Sequence, residues 1–158
     1  MEIRNYNKKD KTAVQQIFAK YWTDEEFLDE LAENLDDNKI HFYVAEKDNE
    51  VIGVAGLREA PKYLRDCAKT EKPAELYIIA SKLQNKGFGN LLAQKVIEEA
   101  KKLNFTEIEC YSPETHNSSW KFYEKLGFTK HGIINDPDDG YPGMLWKKDL
   151  INVIILLN

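Results

Sequence analysis

The sequence predicts an α/β fold in which a mixed, mostly antiparallel sheet of six or seven strands carries helices on both faces. Short runs rich in β-branched and aromatic residues indicate strands, and longer runs with apolar residues at helical spacing indicate helices. The two kinds of run are interspersed along the chain. The 158 residues are enough for one hydrophobic core, so we expect residues 1–158 to form a single domain.

The elements follow in order along the chain. Each predicted strand is a short apolar run bounded by turn-forming residues. The strands cover residues 3–6, 40–46, 51–57, 75–80, 107–112, 128–134 and 144–150. The helices occupy the stretches 10–21, 23–35, 88–103 and 117–128.

The first two helices are predicted from their starting residues and apolar stripes. Asp10 is expected to cap the first helix, and Thr23 and Glu26 are expected to form a capping box at the start of the second. The apolar stripe of the first helix contains Val14, Ile17, Phe18 and Tyr21. The exposed face of the second helix is acidic and contains Asp24, Glu25, Glu26, Asp29, Glu30 and Glu33. This face is either simply solvated or attracts a cationic ligand.

Two connections and the end of the chain carry further predictions. Residues 47–50, Lys-Asp-Asn-Glu, are expected to form a hairpin turn. Residues 58–73 are too long for a tight turn, so we expect a lid or one helical turn at residues 63–66. The apolar tail at residues 151–157 is expected to extend the last strand into the core or across the interface of a homodimer.

Charge and cysteine content exclude several classes of protein. A net charge of −5 argues against a nucleic-acid-binding protein, which needs clustered Lys and Arg. Cys67 and Cys110 have no close partner and no His at ligand spacing, so we expect two reduced thiols and no metal site. No run reaches the ~18 apolar residues of a membrane span and no apolar leader is present, so we expect a cytoplasmic protein without membrane contact.

The most informative stretch leads from the strand at residues 75–80 through a glycine loop into the next helix. Gly87 and Gly89 stand where that helix begins. The first N–H groups of a helix lack acceptors and carry the positive end of its dipole, and glycine lets them approach an anion closely. We therefore expect a pyrophosphate site, with a plain tight turn as the alternative. A Rossmann fingerprint would need a third glycine or alanine near Leu92, and a Walker A loop would need Lys and then Ser or Thr after the last glycine. Neither pattern is present.

Two segments together resemble the GNAT acetyltransferase superfamily. Residues 84–89, Gln-Asn-Lys-Gly-Phe-Gly, resemble its acetyl-CoA pyrophosphate loop, Gln/Arg-x-x-Gly-x-Gly/Ala. Residues 117–128, which end in Tyr-Glu-Lys-Leu-Gly-Phe, resemble its second recurrent segment and follow in the same order. The resemblance implies an acetyl-CoA-dependent N-acetyltransferase with the cosubstrate beside the central strand. The residues it implies in cofactor binding are Ile79, Gln84, Asn85, Lys86, Gly87, Phe88, Gly89, Asn90 and Asn117.

Two of these residues have particular expected roles. A backbone N–H near Ile79 is expected to polarise the thioester carbonyl. The family commonly has Asn seven residues before its tyrosine, where this chain has His116, with Asn117 one position later. Asn117 is therefore expected either to bind the pantetheine arm or to cap the helix.

Acetyl transfer to an amine requires a base and an acid. Glu75 is the predicted base because it is an acid on an otherwise apolar strand, where desolvation would raise its pKa. The alternative is a strand-end glutamate that faces solvent. Tyr123 matches the family's general acid, which protonates the departing CoA thiolate, and its alternative is a core aromatic residue.

The expected acceptor is a primary amine of a small molecule or peptide, cationic and drawn by the acidic residues. Direct transfer in a ternary complex is favoured over an acyl-enzyme. The sequence has no Gly-x-Ser-x-Gly elbow whose serine could be activated by His41, His116 or His131. Cys110 has no electropositive neighbour in the sequence. The alternatives are a protein N-terminal or lysine acetyltransferase and an acyl-CoA-binding module without turnover.

Overall fold

The computed structural model describes residues 1–84, 86–137 and 140–150. Its strands are β1 (Glu2–Asn5), β2 (His41–Lys47), β3 (Glu50–Glu59), β4 (Pro73–Ser81), β5 (Glu107–Pro113), β6 (Thr129–Asn135) and β7 (Pro142–Asp149). Its α-helices are α1 (Lys11–Tyr21), α2 (Glu25–Asn34), α3 (Lys62–Arg65), α4 (Phe88–Lys102) and α5 (Trp120–Lys125). Short 3-10 helices precede α1 and α5, at Lys8–Asp10 and Glu114–Ser119.

The seven strands form one sheet in the order β1-β2-β3-β4-β5-β7-β6. β4 and β5 are parallel, whereas the pairs β1–β2, β2–β3, β5–β7 and β6–β7 are antiparallel. β4 is therefore the central strand, as its apolar residues on both faces predict. The predicted mixed, mostly antiparallel sheet is confirmed.

The chain divides into two compact units, and the first comprises Met1–Arg58 and Leu76–Val96. Side chains alternate between the two faces of a strand. In β2, Phe42 and Val44 belong to a buried cluster with residues of α1 and α2, whereas Tyr43 on the opposite face lies near Lys95 of α4. The cluster comprises Val14, Ile17, Phe18, Leu31, Leu35, Phe42, Val44, Val54, Ile78 and Ala80. The helices therefore cover both faces, as predicted.

The second unit comprises Glu59–Glu75 and Ile97–Asn158, of which residues 59–75, 97–137 and 140–150 are described. Cys110 pairs with Trp146 across β5 and β7, and α5 packs on this face through its aromatic residues. The opposite face carries a small buried cluster in which Leu64 of α3 meets Leu145 of β7. The single domain that the chain length suggests stays a prediction.

The start of α1 differs from the prediction that Asp10 caps it. The Asp10 carboxylate accepts hydrogen bonds from the Arg4 guanidinium at 2.8 and 3.0 Å and from the Asn7 N–H at 2.9 Å. The hydrogen bond from Arg4 holds the pKa of Asp10 below its usual value. The cap is instead the Asn7 side chain, which accepts from the Lys9 N–H of the preceding 3-10 helix. Asp10 thus stands at the N-cap position of α1, but the predicted side-chain cap is absent because its carboxylate binds Arg4 of β1 and the Asn7 N–H.

The start of α2 is also shifted by one residue. Asp24, rather than Thr23, is the N-cap, and its carboxylate accepts from the N–H groups of Glu26 at 2.9 Å and Phe27 at 3.3 Å. A carboxylate at this position stabilises the helix through both hydrogen bonds and the helix dipole. The predicted acidic side chains of this helix are all exposed.

The predicted connections are confirmed where they are described. Asp48 and Asn49 both have positive φ, at 52° and 62°, which is the type I′ geometry of a tight hairpin between β2 and β3. In the long segment 58–73 the single helical turn is present as α3. The apolar tail at residues 151–157 lies outside the described residues.

Three further features bear on the excluded classes. Cys67 and Cys110 are free thiols, as predicted. Within the described ranges, no three His, Cys, Asp or Glu side chains are arranged to hold a metal ion. None of the helices in the described part of the chain has the length and apolarity to cross a membrane.

Candidate functional site

The glycine loop has the backbone geometry that an anion site needs. Gly87 directly precedes α4 and has a φ of +80°, in the region that favours glycine. A Cβ placed on Gly87 would meet no described atom within 4 Å, so the space beside this backbone is open. The Gly87 carbonyl accepts from the Leu91 N–H at 3.2 Å. The N–H groups of Phe88, Gly89 and Asn90 therefore begin the helix without an acceptor inside it.

The end of α1 is hydrogen-bonded to the segment that leads into this loop. The Tyr21 hydroxyl donates to the Ser81 carbonyl and accepts from the Gln84 side-chain amide at 3.4 Å. The Lys20 ammonium donates to the Lys82 carbonyl at 2.5 Å. Sequence reasoning assigned Tyr21 only to the apolar stripe of the helix. No local signal could reveal its second role, since its partners lie about 60 residues away in the chain.

The predicted cofactor-binding residues differ in their surroundings. Gln84, Lys86 and Gly87 are exposed, Gly89, Asn90 and Ile79 are half-buried, and Phe88 is buried. The Lys47 ammonium lies 5.9 Å from the centroid of the Phe88 ring. Phe88 thus anchors the start of α4 in the core, and only its backbone N–H is available to a ligand. Asn85 lies outside the described residues.

The second motif is a helix followed by a Schellman cap. Gly127 has a φ of +89°, its N–H donates to the Glu124 carbonyl at 3.0 Å, and the Phe128 N–H donates to the Tyr123 carbonyl at 3.1 Å. The Phe128 ring also lies 6.1 Å from the Tyr123 ring, which is the apolar contact that accompanies this cap. The Gly-Phe ending therefore fixes where Tyr123 stands.

Tyr123 is a buried residue whose hydroxyl has a partner. It is 7% exposed, and its ring lies 5.6 Å from that of Trp146. The hydroxyl is hydrogen-bonded to the Cys110 thiol. Burial raises the pKa of Tyr123 well above its ordinary value, so the phenol is protonated at neutral pH and is a weaker acid than an exposed tyrosine.

Cys110 is poorly suited to be a nucleophile. Burial raises the pKa of its thiol to about 12, and the thiol rather than the thiolate is present at neutral pH. This supports the prediction that no covalent acyl-enzyme forms.

Glu75 is buried and not at a solvent-facing strand end. It is the third residue of β4 and only 4% exposed, so the solvent-facing alternative was wrong. It pairs in register with Glu109 of β5, which pairs in turn with Lys147 of β7. Because Tyr123 lies on the Cys110 and Trp146 face, Glu75 and Tyr123 are on opposite faces of these strands.

Glu109 and Lys147 are the polar residues that sequence reasoning missed. Glu109 is fully buried, Lys147 is 6% exposed, and their charged groups approach to 3.8 Å. Burial outweighs the attraction of Lys147 and raises the pKa of Glu109 to about 7. The criterion that selected Glu75, an acid between apolar neighbours on a strand, also holds for Glu109 between Ile108 and Cys110.

Asn117 does not cap α5, because the residue at that position is Ser119. Asn117 is exposed in the 3-10 helix that precedes α5, and its carbonyl accepts from the Trp120 N–H. His116 has φ −110° and ψ 34°, which interrupts the helical backbone there. The amide of Asn117 is thus accessible, and its pantetheine role stays a prediction.

The sequence model of the acetyltransferase (GNAT) family matches residues 4–128. The chain belongs to the GNAT family. Both motifs lie inside the match, so the resemblance carried by the glycine loop and the Tyr-Glu-Lys-Leu-Gly-Phe segment is confirmed. The chain is accordingly an acetyl-CoA-dependent acetyltransferase. No curated protein sequence matches it.

Solved structures share the GNAT fold over nearly the whole chain. A protein of the GNAT family from Desulfovibrio desulfuricans is 20% identical, with coverage of 95% of this chain and 99% of that one and a TM-score of 0.78. The aminoglycoside 6′-N-acetyltransferase from Enterococcus faecium is 15% identical, with coverage of 96% and 98% and a TM-score of 0.75. The protein yncA from Salmonella typhimurium, whose structure includes its cofactor acetyl-CoA, is 18% identical, with coverage of 96% and 95% and a TM-score of 0.75. At these identities the likeness supports the fold.

Proposed function

We propose that this GNAT protein moves the acetyl group of acetyl-CoA to a primary amine of a small molecule by direct transfer in a ternary complex. The observation that carries the proposal is a complementary pair of buried groups in the second unit. Glu75 is a buried carboxyl group that can take a proton, and Tyr123 is a buried phenol that can give one. Amine acylation by a thioester needs one group of each kind.

Glu75 is proposed to prepare the acceptor. An alkyl amine with a pKa of ~10.4 is an ammonium ion at neutral pH and has no lone pair for attack. Glu75 takes one of its protons, directly or through a water molecule, and the free amine then attacks the thioester carbon. The burial of Glu75 supports this role because it holds the carboxyl group away from bulk water.

Tyr123 is proposed to complete the reaction. After attack the nitrogen carries two protons, and it loses one of them to solvent. As the carbon–sulfur bond breaks, the CoA sulfur takes the phenolic proton, and solvent then reprotonates the phenolate. Glu75 and Tyr123 lie on opposite faces of β4, β5 and β7.

The glycine loop is proposed to hold the pyrophosphate. Acetyl-CoA supplies the activated acetyl thioester when bound. The residues fit this ligand because Gly87 leaves open space beside the first N–H groups of α4. Gln84 and Lys86 supply exposed polar side chains at the same loop. We further propose that Ile79, Asn85 and Asn117 bind acetyl-CoA.

A cationic acceptor is favoured by the charge of α2. This helix contains five acidic residues and no lysine or arginine, and its acids are exposed. The fold neighbour from Enterococcus faecium has an aminoglycoside, a small molecule, in its name. A cationic small molecule is therefore the acceptor class that we propose, and a homodimer and a cytoplasmic location remain predictions.

The test is an assay of CoA-thiol release with a panel of polyamines, amino sugars and peptides with free N-terminal or lysine amines. We expect turnover with at least one small cationic amine and weaker turnover with peptides. Glu75→Gln should bind acetyl-CoA like the wild type and lose turnover. A strong preference for peptides would support a protein acetyltransferase instead. Binding of acetyl-CoA without turnover of any amine would support a binding module.

A further inference from the structure

Three charged side chains form a buried ladder across neighbouring strands of the second unit. Glu75 of β4 is in register with Glu109 of β5, and Glu109 is in register with Lys147 of β7. They are 4%, 0% and 6% exposed. Side chains of directly opposed residues on neighbouring strands lie close together, so each charged group interacts electrostatically with the next one.

The hydrogen bonds of this ladder are unevenly distributed. Neither carboxyl oxygen of Glu109 accepts a hydrogen bond from any described residue. The Lys147 ammonium stays 3.8 Å from Glu109 and donates instead to the Cys67 carbonyl. A fully buried carboxylate without hydrogen bonds is costly, and protonation removes the charge and with it the largest part of that cost. The ladder is therefore arranged to accept a proton at Glu109.

Glu107 shows that burial alone does not produce this arrangement. It is also fully buried and lies on the same face of β5, two residues away. One of its oxygens accepts from the N–H groups of Lys69 at 2.8 Å and Thr70 at 3.2 Å. Its register partner on β4 is Pro73, which carries no charge. Glu107 thus has a structural role in holding the segment before β4.

We propose that Glu75 and Glu109 act as one carboxyl pair that takes a single proton from the acceptor ammonium, with Lys147 as the residue that keeps the pair ionised before the acceptor binds. This inference rests on the proposed function and extends it to two residues that it does not use. Glu75 contacts the acceptor, whereas Glu109 and Lys147 act through Glu75 and are positioning residues.

The proton balance of the step is simple. The pair that reacts is its fully ionised form, which predominates above the Glu109 pKa of about 7 and carries two negative charges beside one ammonium. The acceptor ammonium gives one proton to Glu75 and becomes a neutral amine, and the pair then shares that proton and carries one negative charge. After transfer the proton leaves to solvent. Mutual repulsion of two adjacent carboxylates makes the pair a stronger base than Glu75 alone, and the nearby ammonium limits that effect.

The other charged groups around the ladder are those of the strands and segment packed on it. Glu107 lies on the same strand, and His131 of β6 interacts electrostatically with Lys147, Lys69, Glu107 and Asp149. His131 is exposed, but partial desolvation and the charges of Lys147 and Lys69 lower its pKa, so it is mostly neutral at pH 7 and adds little charge near the pair. Lys147 is therefore the positively charged residue of the ladder, in register with Glu109 and 3.8 Å from it.

The first test is the pH dependence of kcat/KM for the best amine of the panel. Glu109→Gln removes the neighbouring negative charge and should shift the acid limb about one pH unit lower. Lys147→Met removes the positive charge and should shift it about one pH unit higher. Opposite shifts are the expected result. A loss of rate in both variants without any movement of the acid limb would overturn the proposal, because a purely structural role gives that outcome.

The second test needs no turnover and no variant for its main readout. In wild-type protein labelled with ¹³C at the glutamate carboxyl carbon, the Glu75 and Glu109 signals should move in the same pH step. Glu75→Gln and Glu109→Gln, or Glu109→Asp where the glutamine variant fails to fold, assign the two signals. Glu107→Gln removes an equally buried carboxyl whose charge also raises the pKa of Glu109, so this variant should move the shared step to lower pH and still leave the two signals coupled. Independent titration of Glu75 and Glu109 would overturn the pair, whereas absence of turnover with every amine would overturn only the proposed function.

Discussion

The Lys147 ammonium lies 3.8 Å from Oε1 of Glu109, and both side chains are buried in the second unit. This ion pair is held loosely, because the ammonium donates to the Cys67 carbonyl rather than to the carboxylate. Desolvation of Glu109 is therefore only partly offset, and its pKa rises to about 7. The pH dependence of folding stability follows from this value.

Glu109→Gln should stabilise the protein more at alkaline than at acidic pH. The folded state keeps the Glu109 proton up to a pKa of about 7, whereas the unfolded chain releases it near the ordinary value of 4.5. The stability that protonated Glu109 contributes is thus present below pH 4.5 and is lost as the pH rises through about 7. The free energy of unfolding of the variant minus that of wild type should therefore be larger at about pH 8 than at about pH 5, by about 1–3 kcal/mol.

Thermal unfolding of wild type and Glu109→Gln at the two pH values measures this difference. Glu33→Gln, an exposed substitution on α2, is the control and should give the same small change at both pH values. An equal effect of Glu109→Gln at both pH values would contradict a raised pKa for Glu109.

Gly87→Ala should weaken acetyl-CoA binding by about tenfold or more, which corresponds to about 1.4 kcal/mol. Its φ of +80° is unfavourable for alanine, and the new methyl group would occupy the open space beside the helix N–H groups. Isothermal titration with acetyl-CoA measures the change.

Gly132 offers a matched control for the glycine loop. Its φ is +102°, and a Cβ there would also meet no described atom within 4 Å, but it lies in β6. Gly132→Ala should therefore cause comparable backbone strain and leave acetyl-CoA affinity unchanged. Equal affinities for both alanine variants and the wild type would contradict a pyrophosphate site at Gly87.

The sequence predicted the parts of this fold that depend on local patterns. The turn at Asp48 and Asn49, the helix that begins after Gly87 and the buried face of α1 each follow from neighbours within a few residues. The loop geometry of the candidate site belongs to this group. A glycine directly before a run of apolar residues at helical spacing is a signal that neighbouring residues carry.

The parts that were missed depend on partners far apart in the chain. Asp10 was misassigned as a cap because Arg4 binds it, and the choice between the two partners depends on how β1 lies beside the helix. The role of Glu109 depends on its register with Glu75 and Lys147, and register is a property of the assembled sheet. Composition and spacing along one strand do not contain that information.

Tyr123→Phe should lower kcat by about 10²–10⁴ while acetyl-CoA affinity stays near that of wild type. The ring and its contacts with Trp146 and Phe128 are kept, and only the hydroxyl is lost. The loss would be smaller where the CoA thiolate, with a model thiol pKa of ~8.5, leaves unprotonated. Loss of the hydrogen bond to Cys110 should cost about 0.5–1.5 kcal/mol of stability.

Tyr6→Phe is the control for this substitution. The Tyr6 hydroxyl is buried and has no hydrogen-bond partner among the described residues, and Tyr6 directly follows β1 in the first unit. Its removal should leave kcat unchanged and stability equal or higher. If Tyr123→Phe lowers the melting temperature but not kcat, Tyr123 is a core residue and not the acid.

The acceptor KM should rise with ionic strength if the exposed acids of α2 draw a cationic amine. Salt screens exposed charges over about 8–10 Å at physiological concentration, so the attraction falls as salt is added. The KM for acetyl-CoA, measured in the same series, separates this effect from weaker cosubstrate binding. Lys substitutions at Glu26 and Glu30 should reduce the salt dependence. A KM for the amine that does not respond to salt would count against a cationic acceptor.

The most direct test of direct transfer is a set of initial rates in which acetyl-CoA and the best amine are varied together. Transfer in a ternary complex predicts intersecting double-reciprocal lines and no release of CoA when the amine is omitted. An acyl-enzyme route predicts parallel lines and a burst of CoA stoichiometric with enzyme in the absence of amine. Intersecting lines without a burst are the expected result, and parallel lines with a burst would contradict the mechanism proposed for Glu75 and Tyr123.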